Sequence, residues 1–264
     1  MRASANVLTR AQIGAHRGEV VFRKGVQGQT VGCGRRADLL QPALISLTNL
    51  AAAHQAAGHM DTALLMYEET LALCEWALGD DHPDTIQSRN NLGGVYYAVP
   101  DLSRAIPLFE RALADGARIL GNDHPETLLY RINVSNAYRE TGDLDRAIPL
   151  LKQALVECER VLGVDHPTTS LSRVNLASAF GGSGDWALSI SLLQQALSDR
   201  ERVLGADHFS TLNSRHHLAG AYCAAGDLDQ ALPLYERTFA DCLRVLGEHH
   251  PLTRAVRANL ESRM

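Results

Sequence analysis

Leu78-Gly79-Asp80-Asp81-His82-Pro83 is a stretch that the sequence writes five times. It returns as Leu120-Gly121-Asn122-Asp123-His124-Pro125, then as Leu162-Gly163-Val164-Asp165-His166-Pro167, then as Leu204-Gly205-Ala206-Asp207-His208-Phe209. The last copy is Leu246-Gly247-Glu248-His249-His250-Pro251. Successive copies lie 42 residues apart with no insertion. A lone binding loop has no reason to recur in register, whereas a stack of equivalent units does.

Outward from the loop, each unit reads as two helices. Leu92, Val95 and Tyr96 give the first helix an apolar face, and Ala105, Phe109, Ala112, Leu113 and Leu120 give the second one. Pro100-Asp101, Gly142-Asp143, Gly184-Asp185 and Gly226-Asp227 punctuate the middle of each unit. Gly79, Gly121, Gly163, Gly205 and Gly247 follow the last apolar residue, which predicts left-handed C-caps. The His-Pro step predicts the start of the next helix with Pro in its first turn. Pro107, Pro149 and Pro233 are expected early in the second helix, where a missing N–H costs least.

The small and aromatic positions, Leu92, Gly93, Tyr96, Ala105, Phe109 and Ala112 in one unit and Val134, Ser135, Tyr138, Ala147, Leu151 and Ala154 in the next, resemble the tetratricopeptide repeat. The 42-residue unit with its Leu-Gly-x-Asp-His-Pro loop is similar to the kinesin light chain type of that repeat, in a bacterial-type array. The resemblance implies an all-α, right-handed superhelical solenoid of antiparallel helix pairs. It covers residues 43–264 in repeats of about 43–84, 85–126, 127–168, 169–210 and 211–252, with a capping helix at 253–264. The first repeat is degenerate: Asn49-Leu50-Ala51 lies 42 residues before Asn91-Leu92-Gly93. Ser189 stands where an Ala is usual, and Phe209 where the loop has Pro.

The chain thus divides into a 39–264 solenoid and a 1–38 segment outside the period. That segment is Gly-rich and basic, with Arg2, Arg10, Arg17, Arg23, Lys24, Arg35 and Arg36 against Glu19 and Asp38, and is expected to be a poorly ordered arm.

Composition fits this division. The 264 residues are 45% hydrophobic and 21% charged, which excludes a disordered chain. No apolar run is long enough to span a membrane. A formal charge of −5 argues against a general nucleic-acid binder. Aromatics are only 5%, few for one large core but enough for units that each pack on their neighbours. The five scattered cysteines and the lack of a secretory signal imply a reducing, cytoplasmic location.

Aligned units expose two polar columns in the first helix. Arg89, Arg131, Arg173, Arg215 and Arg257 fall about 60° from the core leucine, toward the packed side, where a guanidinium needs a partner. The second helix offers Asp115, Glu157, Asp199 and Asp241. The expected arrangement is an ionic ladder between helices; a basic strip for an acidic ligand is the alternative.

The other column is Asn49, Asn91, Asn133, Asn175, His217 and Asn259, about 100° off the core on the other side. First helices line the concave surface of such a superhelix. The family resemblance makes this the place for groove residues that hold an extended peptide. An Asn amide offers donors and an acceptor to a peptide backbone. Gln87, Asn213, Asn136 and Arg139 flank the column, with Tyr97 and His216 also adjacent, and would supply specificity. The alternative is that these Asn bond to one another across repeats.

The loop His residues are spread along the stack and cannot converge on one metal ion; His216-His217 with His249-His250 is the one His cluster. Gly181-Gly182-Ser183-Gly184 has no preceding strand and no following Gly-Lys-Ser/Thr, so it is no phosphate loop. Cys74, Cys158 and Cys242 share a column and are expected in the core. No catalytic residue, metal or cofactor is implied. The expected partner is a protein or peptide, with neither nucleic acid nor membrane. The competing reading is a sensor arm of a signalling NTPase assembly whose NTPase module lies in another polypeptide.

Overall fold

A computed structural model of the protein describes residues 33–262, with side chains from residue 40. Most of the basic segment expected at 1–38 therefore lies outside the described residues.

His at the loop starts one helix of each repeat and Asp at the mid-repeat turn starts the other. The imidazole Nδ1 of His82 accepts from the Asp84 N–H at 3.1 Å, and His124, His166, His208 and His250 repeat the contact at 3.1–3.3 Å. Each is therefore an N-cap, a role whose loss typically costs about 1 kcal/mol. Pro83, Pro125, Pro167 and Pro251 follow at the first helical position. Asp101, Asp143, Asp185 and Asp227 cap the second helices in the same way, each accepting from the N–H three residues on.

These signals generate eleven helices and no strand among the described residues: α1 (Cys33–Ala56), α2 (Met60–Leu78), α3 (Pro83–Ala98), α4 (Leu102–Ile119), α5 (Pro125–Glu140), α6 (Leu144–Val161), α7 (Pro167–Gly182), α8 (Trp186–Leu204), α9 (Phe209–Ala224), α10 (Leu228–Leu246) and α11 (Pro251–Glu261). They form five consecutive pairs and a last single helix, an all-α right-handed solenoid. Helix α1 begins at Cys33, ahead of the boundary read at residue 39, and runs through Pro42. The later first helices begin two residues before the boundaries read from the repeat, because His is the cap.

Two local expectations need correction. Gly79, Gly205 and Gly247 end their helices with φ of 84–88° but ψ of 164–168°. That is the extended, glycine-only region rather than the left-handed helical one, so the chain leaves the helix straight toward the His cap. Pro107, Pro149 and Pro233 are the sixth residues of α4, α6 and α10, past the first turn. Each removes one intrahelical hydrogen bond, on an exposed face where water can serve the freed carbonyl.

Each helix packs on the helices before and after it. Odd helices also approach the next odd helix, α3 with α5 and α5 with α7, so they occupy the tighter, concave side of the curve. Close approach demands small residues: a Cβ on Gly93 would come within 2.9 Å of the Phe109 ring.

Repeats are tied by matched pairs. Tyr96 donates to Glu68, and Tyr138 donates to Glu110. Where the aromatic is Phe180, which has no hydroxyl, the partner is Lys152, lying 5.3 Å above the ring centroid. At Tyr222 it is Gln194, donating to the phenol at 2.7 Å.

Cys74, Cys158 and Cys242 are buried in the core, as their shared column requires.

Candidate functional site

The arginine column faces the interior. Arg89, Arg131, Arg173 and Arg215 are all at most 4% exposed. Arg89 reaches Asp115 at 2.9 Å and Arg215 reaches Asp241 at 2.7 Å, while Arg131 pairs with Glu157 and Arg173 with Asp199. The ladder read from helix angle is therefore present. It is also double: Arg89, Arg173 and Arg215 reach back to Glu75, Glu159 and Glu201 of the preceding helix at 2.7–3.1 Å. Arg131 meets Ala117 at the equivalent position and takes Asn122 Oδ1 at 3.3 Å instead. An outer rank pairs Arg118, Arg160, Arg202 and Arg244 with Asp81, Asp123, Asp165 and Asp207 of the loop one repeat earlier. The guanidinium hydrogen bonds hold these four carboxyls below the ordinary Asp range.

With the arginine column turned inward, the concave face is lined mainly by amides. Asn91, Asn133, Asn175 and Asn259 are half-buried there, as are Asn136, Arg139 and Asn213, whereas Asn49, Gln87 and His217 are exposed. Between α1, α3 and α5 the face opens into a cavity of about 260 Å³ lined by Gln55, Tyr67, Asn90, Asn91, Gly94, Tyr97, Phe109, Asn133 and Asn136. It brings together Asn91, Asn133, Asn136 and Tyr97 of the residues picked out by sequence. Arg139, with Glu140, reaches the cavity at the Tyr97 hydroxyl, and Asn49, Gln87, Asn175, Asn213, His217 and Asn259 lie elsewhere along the face. Gln55, Asn90, Tyr67 and Phe109 were not foreseen. Burial pushes the Tyr97 phenol up, so it stays a neutral hydroxyl.

The cross-repeat alternative holds at one rung. Asn133 Nδ2 donates to Asn90 Oδ1 at 2.9 Å. One repeat on, the position of Asn90 is held by Ile132, and the Asn175 Nδ2 group is buried without a hydrogen-bond partner. Asn136 Oδ1 and Arg139 Nε are likewise buried without partners, although Arg139 Nη2 reaches Glu140 at 2.5 Å.

At the far end of the face, His216 and His217 stand with ring centroids 5.9 Å apart. Burial depresses the His216 pKa to about 4, and its Nδ1 has no partner. His217 is open to solvent by surface, yet the encircling protein and the Arg200 and Arg139 guanidiniums hold its pKa below the usual histidine value. Among the described residues no three His, Cys, Asp or Glu side chains are placed to hold a metal ion. No described helix is long and apolar enough to cross a membrane.

A helix-pair solenoid with an interior arginine–acid ladder and an amide-lined inner face belongs to the class of repeat scaffolds. The tetratricopeptide repeat model matches residues 42–116, 101–156, 136–202, 171–240 and 210–261, and the chain belongs to the tetratricopeptide repeat family. Members of that family generally bind protein partners and are typically non-enzymatic. Among solved structures, the chain is similar to the nearly identical TPR-like repeats of a Podosopora anserina kinesin light chain candidate, at 29% identity over 77% of this chain and 96% of that one, with a TM-score of 0.69. It shares the fold of BtubC (BKLC) from P. vanneervenii, at 18% identity over 83% and 89% of the chains and a TM-score of 0.67. It also shares the fold of a Rap protein complexed with Competence and Sporulation Factor, at 13% identity over 86% and 69% of the chains and a TM-score of 0.64. No curated protein matches it.

Proposed function

We propose that the protein is an interaction scaffold whose concave face holds an extended peptide segment of a partner protein. Asn49, Asn91, Asn133, Asn175, His217 and Asn259 would supply one contact per repeat along the peptide backbone, flanked by Gln87, Asn136, Arg139 and Asn213. The observation that carries this reading is the amide-lined cavity between α1, α3 and α5, whose side-chain amides offer donors and acceptors to a peptide backbone. Along the same face Asn136 Oδ1 and Asn175 Nδ2 make no hydrogen bond within the stack. Affinity would build from several modest contacts held in register.

Immobilised protein should enrich sequences from a random peptide library displayed on phage. Asn136→Ala combined with Asn175→Ala should bind those sequences at least about tenfold more weakly, from two hydrogen bonds of about 1 kcal/mol each. Thermal stability should hold, since neither atom has a partner to lose. Unchanged enrichment in a folded double variant would refute the groove reading.

A further inference from the structure

The two ends of the stack are built differently. In the inner first helices the core leucine position, Leu92, Val134, Leu176 and Leu218, is at most 5% exposed. Ser88, Ser172 and Ser214 in a second column, and Ala137, Ala179 and Ala221 in a third, are buried too. Cys74 of α2 meets Ser88 at 3.3 Å and Cys158 of α6 meets Ser172 at 3.6 Å, so the second helix of one repeat covers this stripe in the next. In α1 the same three columns hold Ser46, Leu50 and Ala53, the residue types of the core, on one helical face. All three are exposed, Leu50 by 50%.

The stripe is also free of charge. From Leu39 to Met60 the chain has no Asp, Glu, Lys or Arg. The arginine of the spine is replaced by Leu47 and its acid by Leu73. The Ser46 hydroxyl donates back to the Pro42 carbonyl at 2.8 Å, so it is spent within α1. At the opposite end α11 exposes Arg254 and Glu261. A solenoid stays soluble through polar outer faces on its terminal repeats. Helix α11 supplies one, whereas α1 presents a core stripe, the signature of a contact surface.

The sequence narrows what covers it. Where a Leu-Gly-x-Asp-His-Pro loop from a preceding repeat would lie, the chain reads Arg36-Ala37-Asp38-Leu39-Leu40-Gln41, and α1 is helical through it. Residues 18–36, placed 42 before α2, lack its pattern: the buried Ala63, Tyr67, Leu71 and Cys74 correspond to Val21, Gly25, Gln29 and Gly32. A second copy fits. A twofold contact sets a face against itself, so any charge confronts its own like, and this stripe has none. Ser46 and Ala53 are small and flank Leu50, which lets two helices approach to about 8 Å with the leucines side by side.

We propose that the protein pairs with a second copy of itself through α1, the Ser46–Leu50–Ala53 stripes meeting antiparallel about a twofold axis. The pairing continues the core of the stack across the axis and places two concave faces in one particle. It stands or falls independently of what those faces bind.

Sedimentation equilibrium of the full chain should show a dimer forming across the micromolar range. Leu50→Glu combined with Ala53→Glu sets carboxylates against carboxylates at the axis and should weaken pairing at least about a hundredfold. Both positions are exposed in the single chain and Glu is a good helix former, so the helical circular dichroism signal should be kept. Ala255→Glu with Ala258→Glu, on the outer face of α11, should leave the dimer intact. Amide exchange in α1 should slow as concentration rises, and exchange in α11 should not. A chain that stays monomeric throughout overturns the proposal. So does a dimer that the Leu50 and Ala53 substitutions leave unaltered. Slow exchange in α1 at concentrations where the chain is monomeric also overturns it, since residues 1–32 of the same chain would then be the cover.

Discussion

Two columns of the same first helices repeat every 42 residues, and they have opposite fates. Along the interior, Arg89, Arg131, Arg173 and Arg215 are sealed from water and each meets an acid of the following helix. Along the concave face, Asn91, Asn133 and Asn175 recur as faithfully, yet Asn133 is bonded across repeats while Asn175 keeps a bare donor. Repetition alone therefore does not distinguish a structural residue from an available one. The surroundings do: each spine guanidinium is held by acids within the stack, whereas the amide column is tied across repeats at one rung and not at the next.

The sharpest way to break this contrast is to remove one rung of the spine. Arg215 holds Asp241 at 2.7 Å and Glu201 at 2.9 Å. Arg215→Ala leaves both acids without their cation and should cost about 3–5 kcal/mol. Because repeats are coupled mainly to their neighbours, the loss should be local. Amide exchange should rise in α8, α9 and α10 and stay unchanged in α3 and α4. A neutral result in urea unfolding would show that the spine is no more committed than the groove.

Acid separates the two regions at smaller cost. His216, on the groove side, is neutral in the folded protein down to about pH 4, whereas an unfolded histidine takes up its proton near 6.5. The unfolded state then binds more protons, so stability falls as pH drops from about 6.5 to 4. The depressed pKa of His217 acts in the same sense. The carboxylates act lower. Burial raises the Asp241 pKa, but hydrogen bonds from Arg244 and Arg215 outweigh it and hold the group below its ordinary value, and Asp81, Asp123, Asp165 and Asp207 are depressed by their arginines. Their contribution is complete above about pH 4 and is lost as pH falls through their folded values. The Tm should therefore decline in two limbs. His216→Asn should flatten the upper limb and leave the lower one. A Tm that stays flat from pH 7 to 4 would contradict the buried state of His216.

Much of the fold was legible because every repeat solves the same packing problem. The Leu-Gly-x-Asp-His-Pro loops marked the boundaries, and helix angle alone pointed the arginines inward toward Asp115, Glu157, Asp199 and Asp241. The second set of acids escaped notice because Glu75, Glu159 and Glu201 do not form a constant column; Ala117 and Leu243 interrupt it. The cavity was half legible for the same reason. Asn91 and Asn133 lie in a column of Asn broken only at His217, but Asn90 shares its position with Ile132 and Val174, which mark it as core. Gln55 belongs to the degenerate first repeat, and Tyr67 and Phe109 reach the cavity floor from second helices. The doublet Asn90-Asn91 was the one local signal. The misplaced prolines have a simple cause: without knowing that Asp101 is the N-cap, Pro107 cannot be located relative to the first turn.

The smallest expected effect discriminates most finely within the groove itself. Asn133 and Asn175 occupy equivalent positions one repeat apart, and only the residue facing them differs, Asn90 in one case and Ile132 in the other. Asn133→Ala removes a 2.9 Å bond and strands the Asn90 acceptor, for a loss of about 1 kcal/mol. Asn175→Ala removes a donor that bonds to nothing, so its cost should be close to zero. Replacing Asn90 by Ile in the Asn133→Ala background recreates the Ile132 environment and should recover part of the loss, because no acceptor is left stranded. Equal costs for the two single variants, measured by urea unfolding, would mean that the column is one uniform structural ladder. Unequal costs in this direction would mean that the facing residue, Asn90 or Ile132, decides whether the amide is tied into the stack.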